Sequence, residues 1–152
     1  MRFDGVAIER WAPHRRARLG IGRTFQTAQP FAGLTVTENV AVAAHQRRRS
    51  RGRAISVSAI LEICGLTPFA DVPARHLAAG QRRFAELARC LALEPRLIML
   101  DEPASGLRAS EVDQLTAVIT ELRERHGISS LIVSHDMQLI NDACSRVLVL
   151  DH

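Results

Sequence analysis

Two groups of polar residues follow short apolar runs and together could support phosphate chemistry. Asp101 and Glu102 come directly after the apolar run 97–100, and His135 follows the run 131–133. A carboxylate beside an apolar core is costly unless it meets a cation or hydrogen-bond donors. A Mg²⁺ ion with phosphates would supply the cation. Asp101 would then orient the metal and Glu102 would polarise an attacking water as a general base, with a histidine at the same sheet edge holding the phosphate.

A plainer interpretation of these residues stays open at this point. Asp101 and Glu102 could simply begin the loop that leads to Pro103. His135 could cap a helix or pack against one. An isolated acidic pair and an isolated histidine do not distinguish the two interpretations.

The segments that must position these residues alternate between strands and helices. Short apolar runs predict strands over 21–25, 97–100, 131–133 and 147–150. Periodic apolar residues predict helices over 37–45, 57–64, 80–93 and 111–125, and a last helix that ends at about Cys144. Thr35 or Thr37 would cap the first helix. Gly65 would end the second helix and Gly127 the fourth. This order is typical of an α/β fold whose parallel strands are buried on both faces. The carboxyl ends of such strands meet at one edge of the sheet, where ligands bind.

Composition limits the chemistry and the class of protein. The chain has 152 residues, of which 47% are hydrophobic and 24% charged, enough for one globular domain. All 20 basic residues are arginine, so chemistry that needs a lysine amine is excluded. Cys64, Cys90 and Cys144 show no CxxC spacing and are predicted to be buried, small apolar residues. No apolar run approaches the roughly 18 residues of a membrane span, so we expect a soluble cytoplasmic protein.

The arginine-rich segment 47–53 (RRRSRGR) has two interpretations. With a net charge of +4, it could form a patch for nucleic acid or anionic lipid. It could equally be a solvated connector within a helical region, which is the more common role of a charge run. We favour the connector and expect no nucleic-acid partner.

Four motifs in one order resemble a known family. The stretches LAAGQRRFAELARCLALEPR, LIMLDEPASGLRASEVDQL and LIVSHDM resemble the second half of an ATP-binding-cassette ATPase, the nucleotide-binding subunit of ABC transporters. Residues 97–102 resemble the Walker B strand, 77–81 the signature motif, 104–108 the D-loop and His135 the switch histidine. The resemblance implies a P-loop NTPase-like parallel sheet with crossover helices and a helical subdomain. Residues 37–95 would form the helical and signature part, and 96–152 part of the core.

The first part of the chain resembles one branch of that family. Residues 17–43 (ARLGIGRTFQTAQPFAGLTVTENVAVA) are similar to the Q-loop region of ATPase subunits of branched-chain amino-acid importers. Urea importers look much the same in this stretch. The resemblance implies partners as well: transmembrane permease subunits, a second ATP-binding subunit and, indirectly, a substrate-binding protein. It places the protein on the inner face of the plasma membrane.

The resemblance also implies roles for individual residues, with ATP and Mg²⁺ as ligands. Glu102, His135 and Gln26 would be catalytic, and Asp101 and Gln26 would bind Mg²⁺. The signature and D-loop would contact the ATP of the partner subunit through Leu77, Ala78, Ala79, Gly80, Gln81, Ser105, Gly106, Leu107 and Arg108.

Several features depart from the family pattern. The sequence contains no phosphate-binding loop GxxxxGK(S/T), and the nearest imitation, 17–24 (ARLGIGRT), is better explained as the lead-in to Gln26. Ala78 and Ala79 stand where the signature usually has a serine, and Arg108 where the D-loop usually has Asp or Asn. We therefore expect a chain shortened at both ends that does not hydrolyse ATP alone and exposes an apolar groove. The alternatives are an inactive partner that lends its signature motif to an intact ATPase, and a nucleic-acid-binding protein that kept a similar core.

Overall fold

The computed structural model describes residues 2–24, 29–46 and 55–150. Gln26 and the arginine-rich segment 47–53 lie outside these residues. In chain order the elements are β1 (Arg2–Phe3), β2 (Val6–Ala7), α1 (Pro13–Arg18), β3 (Ile21–Arg23), α2 (Val36–Gln46), α3 (Val57–Ile63), α4 (Ala79–Leu91), β4 (Leu97–Asp101), α5 (Ala109–His126), β5 (Ser129–Val133) and α6 (Met137–Ala143), with short 3₁₀ helices at Thr67–Phe69 and Ala74–His76.

A parallel three-stranded sheet forms the centre of the fold. Its order is β3-β4-β5, and the register aligns Ile21 with Leu97 and Leu97 with Ser129. The helix α5 connects β4 to β5, as a parallel pair requires. The predicted α/β class and the parallel arrangement of these three strands are confirmed. The small antiparallel hairpin β1-β2 was not predicted.

The two faces of this sheet are buried unequally. Ile98 and Leu100 of β4 are 0% and 3% exposed and belong to a core that includes residues of α4 and α5. On the opposite face, Leu131 and Val133 of β5 are 49% and 59% exposed. The prediction that the strands are buried on both faces is therefore wrong, because the helices of the described residues cover one side. Leu131 and Val133 therefore give this face exposed apolar surface.

The two longest helices follow from apolar periodicity. On α4 the buried face carries Phe84, Leu87, Ala88 and Leu91, and on α5 it carries Val112, Leu115, Ile119 and Leu122. Gly127 ends α5 in the left-handed conformation (φ 64°), and its N–H donates to Leu122 O. Glycine adopts this conformation without the cost that a Cβ imposes, which explains the predicted stop.

Helix α2 begins with a reciprocal cap. Thr35 Oγ1 accepts from Glu38 N at 3.1 Å, and Glu38 Oε2 accepts from Thr35 N at 2.7 Å. These bonds satisfy two N–H groups that a helix start otherwise leaves unpaired. Of the two caps that the sequence offered, Thr35 is the one used.

The predicted strand at 147–150 is wrong. These four residues form no regular element, and their exposure lies between 57% and 85%. A strand needs a neighbour to pair its N–H and C=O groups. No strand pairs with 147–150 in the part of the chain that the structure describes. Other boundaries move by a few residues: β3 ends at Arg23, α4 at Leu91, and α5 runs from Ala109 to His126.

The cysteines divide into two environments. Cys64 and Cys90 are buried, and burial raises the pKa of each thiol to about 12. Cys144 is only half-buried, so the prediction of three buried cysteines is wrong for this residue.

Across 2–24, 29–46 and 55–150, no helix combines the length and apolar character needed to span a bilayer.

The two faces of the sheet give a direct stability test. We expect Leu100→Ala to lower the free energy of unfolding by about 2–5 kcal/mol, because it leaves a cavity in the core. The matched variant Leu131→Ala removes the same atoms from the open face and should cost less than about 1 kcal/mol. Urea unfolding followed by circular dichroism measures both. Equal losses would contradict the assignment of the two faces.

Thiol labelling tests the cysteine environments. At pH 8 the buried thiols stay protonated and inaccessible, so a disulfide reagent such as DTNB should react rapidly with Cys144 alone. Cys144→Ser should abolish this rapid reaction, and Cys64→Ser should leave it unchanged. Fast labelling of Cys64 or Cys90 in the native protein would show that the core is more open than described.

Candidate active site

Glu102 and His135 meet at the carboxyl edge of the sheet. Glu102 follows β4 and His135 follows β5, and His135 Nδ1 lies 2.9 Å from Glu102 Oε2. The Glu102 N–H donates to Val133 O at 2.8 Å, which extends the β4–β5 ladder by one bond. The Glu102 side chain is 24% exposed and that of His135 is 85% exposed. The pair is therefore a carboxylate and an imidazole in contact with each other and open to a ligand.

The backbone at Glu102 is in an unusual conformation. Its φ is +46°, in the left-handed region that residues with a Cβ seldom adopt. The cost is about 1–2 kcal/mol. Such strain persists where the surrounding contacts fix the residue, and it concentrates at functional sites. The Ser105 N–H donates to Glu102 O at 3.1 Å and closes the turn that follows.

Asp101 lies at the last position of β4 and has a cationic neighbour. Arg23 Nη2 is 3.4 Å from Asp101 Oδ2, and both side chains are about half exposed. Within the described ranges there is no group of three His, Cys, Asp or Glu residues placed to hold a metal ion. Mg²⁺ at nucleotide sites uses one or two carboxylates together with phosphate oxygens and water. The exposed oxygen donors of Asp101 and Glu102 fit such a metal.

The signature segment forms the start of α4. Leu77 and Gly80 are buried, whereas Ala78 and Ala79 are exposed. Gln81 Oε1 accepts from Ala78 N at 2.8 Å and so closes the first turn of the helix. The exposure of Ala78 and Ala79 leaves this helix start accessible to another molecule.

The D-loop segment lies between β4 and α5. Gly106 makes its turn with φ +75°, and the Leu107 N–H donates to Ala104 O at 3.0 Å. Ser105 and Arg108 are exposed, and Leu107 is half-buried. Arg108 Nη2 pairs with Glu111 Oε1 at 3.1 Å within the same chain.

Glu111 connects the D-loop to the signature. Its Oε2 accepts from Arg108 N at 2.9 Å, and the neighbouring guanidinium holds the pKa of the carboxyl below its usual value. A Cβ placed on Gly80 would lie 2.3 Å from Glu111 Oε1. Only glycine therefore fits at position 80 while Glu111 keeps these bonds.

The sequence analysis did not predict three side chains that hydrogen-bond to irregular backbone. Asn39 is fully buried and bonds through its side chain to the backbone of Phe31, Leu34 and Thr35 at 2.7–3.2 Å. Arg89 donates to Gln29 O at 2.9 Å, and Arg83 donates to backbone carbonyls of the turn after β4. The role of Asn39 could have been predicted from the sequence, because Asn39 lies on the same apolar face of the helix as Val36 and Val40. A polar side chain on a buried face needs hydrogen-bond partners. The contacts of Arg83 and Arg89 join segments that are distant in the sequence, and no local pattern predicts them.

Comparison with known proteins places this geometry in a family. The ABC transporter family model matches residues 1–105. BraF of Pseudomonas aeruginosa, a high-affinity branched-chain amino acid transport ATP-binding protein, is 38% identical over 99% of this chain and 66% of BraF. The chain thus spans slightly less than two thirds of the length of this curated relative.

Solved structures agree on the fold. The structure of cbiO1 from Clostridium perfringens, part of the ABC transporter complex cbiONQ, superposes with a TM-score of 0.77 at 25% identity, over 94% of this chain and 58% of that one. An ATP-binding cassette solved as a dimer in a post-hydrolysis state, with ADP and Pi, gives a TM-score of 0.76 at 22% identity, over 93% and 64%. The fold is that of an ATP-binding cassette.

The contact between Gly80 and Glu111 can be tested by a double-mutant cycle. Gly80→Ala should displace the Glu111 carboxylate from its bonds with Arg108, and this loss of about 1 kcal/mol should cancel most of the gain of about 1 kcal/mol that alanine brings within a helix. Gly33→Ala is the matched control, because a Cβ there meets nothing within 4 Å, and should change stability little. Adding Glu111→Ala to Gly80→Ala should recover part of the loss. Strict additivity of the two substitutions would show that they do not interact.

Proposed function

Because this chain belongs to the ABC transporter family, we propose that it supplies the catalytic and signature parts of an ATP-binding subunit in an importer of branched-chain amino acids. The observation that carries the proposal is the pair Glu102–His135, with Asp101 beside it, at the carboxyl edge of the parallel sheet. The similarity to BraF supports the choice of solute class.

Glu102 and His135 divide the chemistry of hydrolysis between them. The Glu102 carboxylate accepts a proton from the water that attacks the γ-phosphate of ATP. The His135 imidazole contacts this carboxylate at 2.9 Å and is exposed on its other side, where a phosphate oxygen can approach it. Asp101 and Gln26 would hold Mg²⁺, and the ion would neutralise charge on the phosphates. Gln26 enters on the family resemblance alone.

The signature and D-loop face a second subunit in this proposal. Ala78 and Ala79 are exposed at the start of α4, and a helix start favours an anion such as phosphate. The exposed residues Ser105 and Arg108 would lie along the same contact. Two ATP-binding subunits would enclose ATP between them and drive the transmembrane permease, with a substrate-binding protein delivering the solute. The subunit would then sit on the inner face of the plasma membrane.

A second candidate function rests on the same exposed helix start. A chain that presents 77–81 but contains no GxxxxGK(S/T) could lend this signature to another ATPase without hydrolysing ATP itself. The two candidates differ in one respect, which is whether Glu102 is needed for turnover.

The decisive experiment expresses the protein with all in-frame sequence that the gene encodes upstream of Met1. If GxxxxGK(S/T) is present there, Glu102→Gln should lower kcat at least about 100-fold without weakening ATP binding. The control Glu124→Gln changes an exposed ion pair on α5 and should leave kcat unchanged. Full turnover by Glu102→Gln would overturn the main proposal.

If that motif is absent, the protein is added to an intact ATP-binding cassette of an importer. Stimulation of its turnover that Gly80→Ala removes would support the second candidate. No stimulation would overturn it. For the solute class, uptake of labelled leucine and of labelled urea in cells with and without the gene distinguishes the two importer branches.

A further inference from the structure

We propose that Arg83 is a positioning residue for Glu102, which it holds in the orientation that hydrolysis requires. This inference rests on the proposed function of Glu102. It concerns a residue outside the motifs that the resemblance assigned, on the second turn of α4.

Arg83 bridges two carbonyls of the turn after β4. Its Nη1 donates to Glu102 O at 3.4 Å and its Nη2 to Ser105 O at 3.0 Å. A guanidinium carries its donors in a fixed planar fork, so one side chain can hold two acceptors at a set separation. The contact spans both ends of the turn that the Ser105 N–H closes on Glu102 O.

Arg83 lies in a partly apolar environment. Arg83 is half-buried and lines a small cavity together with Phe84, Leu87, Leu100 and Pro103. An arginine stem that packs on apolar side chains loses freedom of its head group. Partial burial therefore limits the conformations open to the Arg83 side chain.

The backbone of Glu102 explains why such a contact matters. With φ at +46°, Glu102 is in a conformation that relaxes unless its surroundings hold it. On one side it is held by the bond from its N–H to Val133 O, which continues the sheet. On the other side it is held by the turn 102–105, to whose carbonyls Arg83 donates two hydrogen bonds. Loss of Arg83 leaves the second side to the Ser105 N–H alone, and the carboxylate can then leave His135.

The location of Arg83 adds a mechanical consequence. Arg83 lies two residues after Gln81 on the helix that begins with the exposed signature. A displacement of α4 is therefore transmitted to the turn that carries Glu102. When the signature contacts nucleotide on a second subunit, the contact would change the position of the Glu102 carboxylate in this chain.

The test compares Arg83→Gln, Arg83→Lys and the control Arg125→Gln in the full-length protein. Arg125 pairs with Glu121 on the exposed side of α5, far along the helix from the turn. Amide hydrogen exchange of a peptide covering 101–107 should accelerate about tenfold in Arg83→Gln and stay unchanged in the control. An ammonium can bond one of the two carbonyls, so Arg83→Lys should lie between them.

Turnover provides the second readout. We expect Arg83→Gln to lower kcat about tenfold or more with ATP affinity within about twofold, because the change affects only the attacking geometry. Arg83→Lys should recover part of kcat, and it is the variant to interpret if Arg83→Gln fails to fold. Unchanged exchange in 101–107 overturns the inference whatever happens to turnover. A parallel loss of kcat and ATP affinity also overturns it.

The two proposals fail separately. If Glu102→Gln retains full turnover, the function proposed for Glu102 is wrong, while hydrogen exchange still decides whether Arg83 holds the turn. If Glu102→Gln abolishes turnover and Arg83→Gln changes neither readout, the function stands and the positioning role is wrong.

Discussion

Burial of one face of β3-β4-β5 against α4 and α5 is the interaction on which the rest of the structure depends. Ile98 and Leu100 anchor β4 in this interface and fix the register of the whole sheet. Once β4 and β5 run parallel with ends aligned, the residues that follow them must emerge side by side. The proximity of Glu102 to His135 is therefore a product of hydrophobic packing and strand direction. The free energy that orders the core also brings the polar pair together.

Sequence predicted the parts of this arrangement that depend on local pattern. Apolar residues that recur every three to four positions predicted α4 and α5 to within a few residues. The short apolar runs predicted β4 and β5. The residues that end those runs, Asp101, Glu102 and His135, followed from the direction of parallel strands. Thr35 and Gly127 were readable for the same reason, because a cap and a left-handed stop depend on chemistry within one turn.

Features that depend on distant segments were not predictable in this way. An apolar run of four residues at 147–150 has the local character of a strand, but pairing depends on a neighbour that the pattern does not specify. The exposure of Leu131 and Val133 likewise depends on what lies over the sheet. Arg83 and Arg89 reach carbonyls that are 22 and 60 residues away in sequence. Nothing in the helical periodicity distinguishes these arginines from solvated ones.

Arginine side chains stabilise much of the irregular backbone by hydrogen bonds. Several of them donate to main-chain carbonyls rather than to acids: Arg16 to Glu9, Arg82 to Leu77, Arg83 to Glu102 and Ser105, Arg89 to Gln29 and Arg123 to Ala143. Neither member of such a contact gains or loses a proton between about pH 4 and pH 10. These arginine–carbonyl contacts consequently keep the same strength across that range, whereas the bonds that Arg108 of the D-loop makes to the Glu111 carboxylate weaken when acid protonates it.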